Sequence, residues 1–135
     1  MKPIFKLFIL LFIISTLSSC EKDEGLRPSI SFKTGGTNIS SDVSIKGGTS
    51  ITIGIIASKS EKEDVLKKFN ISKAINGAGT TTVFDKSLSG SEGDAYTYDY
   101  STTLETIVGQ KNTYTFTVTN RDGLIGQVSL NVTIQ

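Results

Sequence analysis

Few residues in this chain could do chemistry, and the missing types narrow the options. The 135 residues contain no histidine and a single cysteine, Cys20. Without histidine there is no Ser-His-Asp or Cys-His nucleophile and no histidine-ligated metal. A lysine-activated serine remains open in principle, but the serines stand in turn-rich polar segments without distinctive flanks. Carboxylates are left. Glu92 and Asp94 share the segment Ser91-Glu92-Gly93-Asp94, and Asp99 and Glu105 are near neighbours in sequence. Two carboxyls act as acid and base only across a cleft, with one pKa raised. Nothing in the spacing announces such a cleft, so the chain reads as a non-enzyme with no cofactor. Glu92 and Asp94 are candidate calcium ligands, since hard cations collect several oxygens. No spacing matches the twelve-residue calcium loop, and no metal site is assigned. Asn120 and Asp122 either form another such corner or shape a turn.

Tyr96, Tyr98 and Tyr100 are candidate ligand contacts. On an exposed sheet face, tyrosines could hold sugar rings by apolar contact and hydroxyl bonds. Thr97, Asp99 and Ser101 occupy the alternate positions, which favours the other reading, that the rings point into a core.

The elements that would position these residues are short and alternate with period two, the pattern of half-buried strands. Ile30 and Phe32 alternate, then Val43 and Ile45, then Ile51, Ile53 and Ile55. Ile56 and Ala57 suggest that this last strand is covered on both sides near its end. The stretch from Ser60 to Ala74 is ambiguous. Ser60 with Glu63 fits a capping box, and Glu63–Lys67 and Asp64–Lys68 fit helical ion-pair spacing. The reading is one helical turn near Glu61 to Leu66, then a strand to about Ala74, with a helix to Phe69 as the rival. Asn76-Gly77-Ala78-Gly79 turns the chain, and strands follow at Thr80 to Lys86 and at Ala95 to Ser101. Ser89 to Asp94 reads as loop, and Thr103 to Asn112 returns across the end of the domain. Thr113 to Thr119 and Leu124 to Ile134 flank the hairpin signal Asp122-Gly123. Seven or eight antiparallel strands of this kind suggest an all-β, two-sheet sandwich over residues 28–135.

The first residues have another character. Lys2 and Lys6 open the chain, an apolar run follows to Leu17, and charge resumes at Glu21. The run is too short for a plain membrane span, which takes about 20 apolar residues. It reads as a secretory signal peptide over residues 1–19. Leu17-Ser18-Ser19-Cys20 resembles the lipobox of bacterial lipoproteins. The resemblance implies diacylglycerol on the Cys20 thiol and cleavage just before it, so that residues 20–27 are a lipidated tether. Glu21-Lys22-Asp23-Glu24 is similar to the export signal of surface lipoproteins in the Bacteroidota. That implies a place on the outer membrane, facing outward. Loss of Lys2 and Lys6 would take the basic count from 14 to 12 against 13 acidic residues. Such a balance offers nothing to a polyanion, so nucleic acid is not expected as a partner.

Gly109-Gln110-Lys111-Asn112-Thr113-Tyr114-Thr115-Phe116 looks like the approach to strand F of immunoglobulin-like domains. Tyr114 is then either the tyrosine-corner residue or an ordinary core aromatic. The stretch Lys46 to Ile134 is similar to small immunoglobulin-like lipoprotein domains of Bacteroidota. The expectation is therefore a lipid-anchored surface module of immunoglobulin-like fold, held to the membrane through Cys20, that captures a glycan or a protein. The alternative is a structural or adhesion component that assembles by strand addition along an open edge.

Overall fold

The structure is a computed structural model, and it describes residues 25–135. The expected signal peptide, Cys20 and most of the expected tether lie outside the described residues. Eight strands follow in order: β1 (Ser29–Phe32), β2 (Val43–Ile45), β3 (Ser50–Ser58), β4 (Leu66–Ile75), β5 (Thr81–Ser87), β6 (Ala95–Thr103), β7 (Lys111–Asn120) and β8 (Ile125–Ile134). A 3-10 turn at Gly90–Gly93 precedes β6. One sheet has the order β1-β3-β6 and the other β2-β8-β7-β4-β5. The two face each other as an immunoglobulin-like sandwich.

Alternation places the core. Ile51, Ile53, Ile55 and Ala57 of β3 and Tyr114, Phe116 and Val118 of β7 are all buried, while most of the residues between them turn outward. Phe32 meets Phe116 edge to face at 5.8 Å between ring centroids, and Ile30 lies against Gly126 of β8, which sets β1 over β8 and β7. Phe69 of β4 touches Tyr96 and Tyr98 of β6 at 5.2 and 5.7 Å, which sets β6 over β4.

The strand pairs are antiparallel with one departure. β2 runs parallel to β8, Val43 opposite Val132 and Ile45 opposite Ile134. Residues 33–42 carry the chain from one sheet to the other, so β2 arrives in the same direction as β8.

Two local readings are corrected. Residues 60–63 form a turn, not a helical turn, and β4 already begins at Leu66. The Ser60 hydroxyl that would have capped a helix donates to the Arg27 carbonyl at 2.6 Å. The helical look of the segment has a cause in the pairing. The β4–β7 register shifts between Leu66 and Lys68. That bulge lets Leu66 and Phe69, three apart, both face the core, a spacing an unbroken strand forbids. The second correction concerns Ile56, which is 48% exposed. β3 is covered on one face only.

The strand directions define two poles. The chain enters at Gly25 and Leu26, where the Leu26 N–H donates to Glu61 Oε2 at 2.9 Å. The β3–β4 turn, the 3-10 turn and the β7–β8 turn share this end, since Ser58 pairs with Ala95 and Leu66 with Asn120. The opposite pole carries the Asn76-Gly77 turn and the loop from Leu104 to Gln110. That loop rests on a polar network. Glu105 is held by Lys73 and accepts from Asn112 Nδ2, and Asn112 Oδ1 accepts from Gln110 Nε2.

Candidate functional site at an open strand edge

The sequence candidates separate once placed. Tyr96 is 6% exposed, and Tyr98 and Tyr100 are half-buried. All three rings point between the sheets. Tyr98 stacks on Phe84 at 4.5 Å, and Tyr100 lies 5.9 Å from Tyr114. The stripe is therefore core packing at its start and the rim of the core at its end. It does not present an outward stacking face. Burial raises the Tyr96 pKa, and the Lys86 ammonium over its ring at 5.2 Å works against the rise.

Glu92 and Asp94 do not converge. Glu92 Oε1 takes a bond from Lys86 Nζ at 2.5 Å, and Asp94 pairs with Lys59 at 2.6 Å. Each carboxylate already has its own cation, which competes with calcium for the same oxygens. Among the described residues no three His, Cys, Asp or Glu side chains gather as metal ligands would. Asp99 and Glu105 are likewise apart, one bonded to Lys33 and the other to Lys73. Asn120 shapes the β7–β8 turn: its Oδ1 accepts from the Asp122 and Leu124 N–H groups at 3.1 and 2.7 Å. Tyr114 is 1% exposed, the Asn112 side chain lies beside its hydroxyl, and no backbone group among the described residues bonds that hydroxyl. A tyrosine corner needs that bond, so Tyr114 is a core aromatic. Burial first, then Tyr100 and Glu105, push its pKa well up, and the Asn112 side chain works against the rise.

What stands out instead is backbone. A sheet edge is a row of N–H and C=O groups ready to pair, and proteins usually blunt it by shortness, bulges, charge or proline. The four outer strands differ in how far they do so. β1 has four residues and β2 three. β5 has seven, and its register against β4 slips, with Ile71 opposite Phe84 and Ser72 opposite Thr82. Val83 is the extra residue of that bulge, and Asp85 and Lys86 follow it. β6 has nine residues and pairs with β3 without a slip from Ala95 to Thr103. It holds no proline or lysine, and its one charge is Asp99.

The bonds Lys59 N–H to Asp94 O and Leu104 N–H to Thr49 O close the β3–β6 ladder at both ends. In an antiparallel pair, bonded positions alternate. Tyr96, Tyr98, Tyr100 and Thr102 therefore bond to β3, and Thr97, Asp99, Ser101 and Thr103 turn their backbone groups outward. No strand among the described residues lies there.

The side chains of Asp99, Ser101 and Thr103 turn back from the edge. Ser101 Oγ bonds Thr52 Oγ1 and Thr103 Oγ1 bonds Ser50 Oγ, each at 3.0 Å and each back across β3. Asp99 reaches further, over β3 to Lys33 Nζ at 2.7 Å. That tie passes above Gly54, where a Cβ would lie 2.6 Å from Asp99 Oδ1 and 2.7 Å from Lys33 Cδ. Glycine at 54 is what lets the pair cross.

Sequence reading placed Thr97, Asp99 and Ser101 on the face opposite the tyrosines but did not mark them as an edge. One signal was available. Leu88 to Asp94 is too short to hold another strand before β6, so the segment leading into β6 could not cover its outer side.

No protein-family model matches the chain, and no curated protein matches it. Among solved structures it is similar to a superoxide reductase (neelaredoxin) from Ignicoccus hospitalis. The identity is 7% and the TM-score 0.54, over 81% of this chain and 80% of that one. A second structure of that reductase gives 8% identity and a TM-score of 0.51, over 82% and 81% of the two chains. A likeness at such identity shows the shared sandwich fold and nothing of its chemistry.

Proposed function

We propose that this chain is a lipid-anchored, non-catalytic binding module of a bacterial outer-membrane surface, and that it captures protein by strand addition on β6. The lipobox-like Leu17-Ser18-Ser19-Cys20 supports the anchor, and the charged residues after it support outward display. The single observation that carries the binding mode is the bare edge of β6, nine residues in clean register with the Asp99, Ser101 and Thr103 side chains drawn away from it. Main-chain bonding supplies affinity in this mode, and the alternate side-chain sites supply choice of partner. Glycan capture loses support because the tyrosine rings point inward. The near balance of charge still speaks against nucleic acid.

The test is photo-crosslinking in the native cells, with a photoreactive residue at Ser101 of the full chain and another at Thr117 on the far sheet. A discrete protein adduct from position 101 and none from 117 is the expected result. Equal adducts from both, or none, contradict the reading. The amino-terminal peptide of the same sample should carry acyl chains on Cys20, and an unmodified thiol contradicts the anchor.

A further inference from the structure

The strand-addition reading leaves open what adds. Two occupants are chemically natural: a second copy of β6 across a two-fold axis, or one extended segment of another protein. The opposing sheet decides between them. β6 lies over β4, as the Phe69–Tyr96 and Phe69–Tyr98 contacts show. β5 is one strand further out in the same sheet and stacks Phe84 on Tyr98 at 4.5 Å, so it reaches past β6 by only part of a strand spacing of about 4.8 Å. A two-fold axis beside β6 would bring the partner copy's β5 under the first copy's β6. That space is filled by the first copy's own β4 and β5. The overhang admits one strand next to β6 and rejects a second whole sandwich.

The same overhang sets the side chains the strand must carry. Three strands face five, and the outermost of the five lacks a full cover. Phe84 leans on Tyr98 and is half-buried, Lys86 lies over Tyr96, and Val83 is 39% exposed. A strand bonded to the backbone of Thr97, Asp99, Ser101 and Thr103 would lie above this row. Its inward residues would meet Phe84 and the rims of Tyr98 and Tyr100. Its outward residues would stand beside hydroxyls and the Asp99 carboxylate. Inward and outward alternate with period two.

We infer that the occupant of the β6 edge is a single extended polypeptide segment with apolar residues at alternate positions and polar residues between them, lying over β5 as the fourth strand of the smaller sheet. It completes the face that the described residues leave three strands wide. This inference rests on the strand-addition reading and adds the class of segment to it.

The experiment uses residues 21–135 and two synthetic nine-residue peptides of one composition, with capped ends and a terminal lysine at each side. One alternates valine with threonine; the other gathers the valines in one block. The alternating peptide should bind at least tenfold more tightly. On binding, amide exchange at Thr97, Asp99, Ser101 and Thr103 should slow at least tenfold, and the Phe84 and Tyr98 ring resonances should shift. Ser101→Pro removes one outward donor at an edge position where proline is tolerated, and it should abolish binding without a large change in melting temperature. Methylating the peptide nitrogens that face β6 should do the same with the protein untouched. Equal binding of the two peptides, binding without protection of β6, or no binding overturns the inference. A dimer that Ser101→Pro dissolves also overturns it, with a second copy as the occupant. If the cellular crosslink at Ser101 persists in any of these cases, the edge reading stands and only the occupant was wrong.

Discussion

Asn120 sits at the end of β7 with 2% of its surface exposed, and its amide serves two elements at once. Its oxygen accepts from two turn N–H groups, and its Nδ2 donates to Asp64 Oδ2 at 2.6 Å. Asp64 is equally buried and also accepts from the Val65 N–H. Asn120→Ala therefore strands a buried carboxylate oxygen, and bonds to charged groups carry about 1.5–3 kcal/mol. Denaturant unfolding should show a loss of about 2 kcal/mol. Lys33→Ala should cost less than about 1 kcal/mol, because its partner Asp99 is half in water. Equal losses would contradict this ranking. Of the two roles the sequence left to Asn120, a cation corner or a turn, the structure shows the turn. Its bond to Asp64 spans 56 positions and has no local signal. The sequence left the tyrosines either as ligand contacts or as core, with Thr97, Asp99 and Ser101 on the alternate positions favouring the core, and the structure turns the rings inward. The paired lysines at Glu92 and Asp94 were not legible, since Lys59 is brought there by the fold.

Elements were read well where alternation was unbroken and poorly where a bulge intervened. β3, β7 and β8 follow their apolar rows almost residue by residue. β4 differs from the expected helical turn because the bulge at its start imitates helical spacing, and the parallel run of β2 beside β8 has no sequence signal at all. The loop from Leu104 to Gln110 owes its shape to Glu105. Burial raises the pKa of that carboxyl, but Lys73, its own N–H and Asn112 together hold it below the usual value. A depressed folded pKa means stability that is present above the unfolded value near 4.5 and is lost as pH falls through the lower folded one. Thermal melts of the wild type against Glu105→Gln should therefore differ most near neutral pH and converge in acid. A gap that widens on acidification would contradict this assignment. Removing the charge also leaves Lys73 without its partner.

At the scale of the molecule, entry and exit directions matter most. The described chain begins at the pole of the β3–β4 and β7–β8 turns, and β6 runs from that pole to the other. A tether at Cys20 would set the strand upright on the membrane, its edge open along its length to segments from the side. Composition and period sufficed to read the sandwich. They could not say which strand would be left uncovered, because sheet order joins residues far apart in sequence. The account depends on that uncovered strand. Native-state amide exchange of residues 21–135 without ligand tests it most directly. Thr97, Asp99, Ser101 and Thr103 should exchange fast, and Tyr96, Tyr98, Tyr100 and Thr102 slowly, a two-residue alternation along β6. Uniform protection of all eight amides would mean that the edge is already paired, and the account would fail.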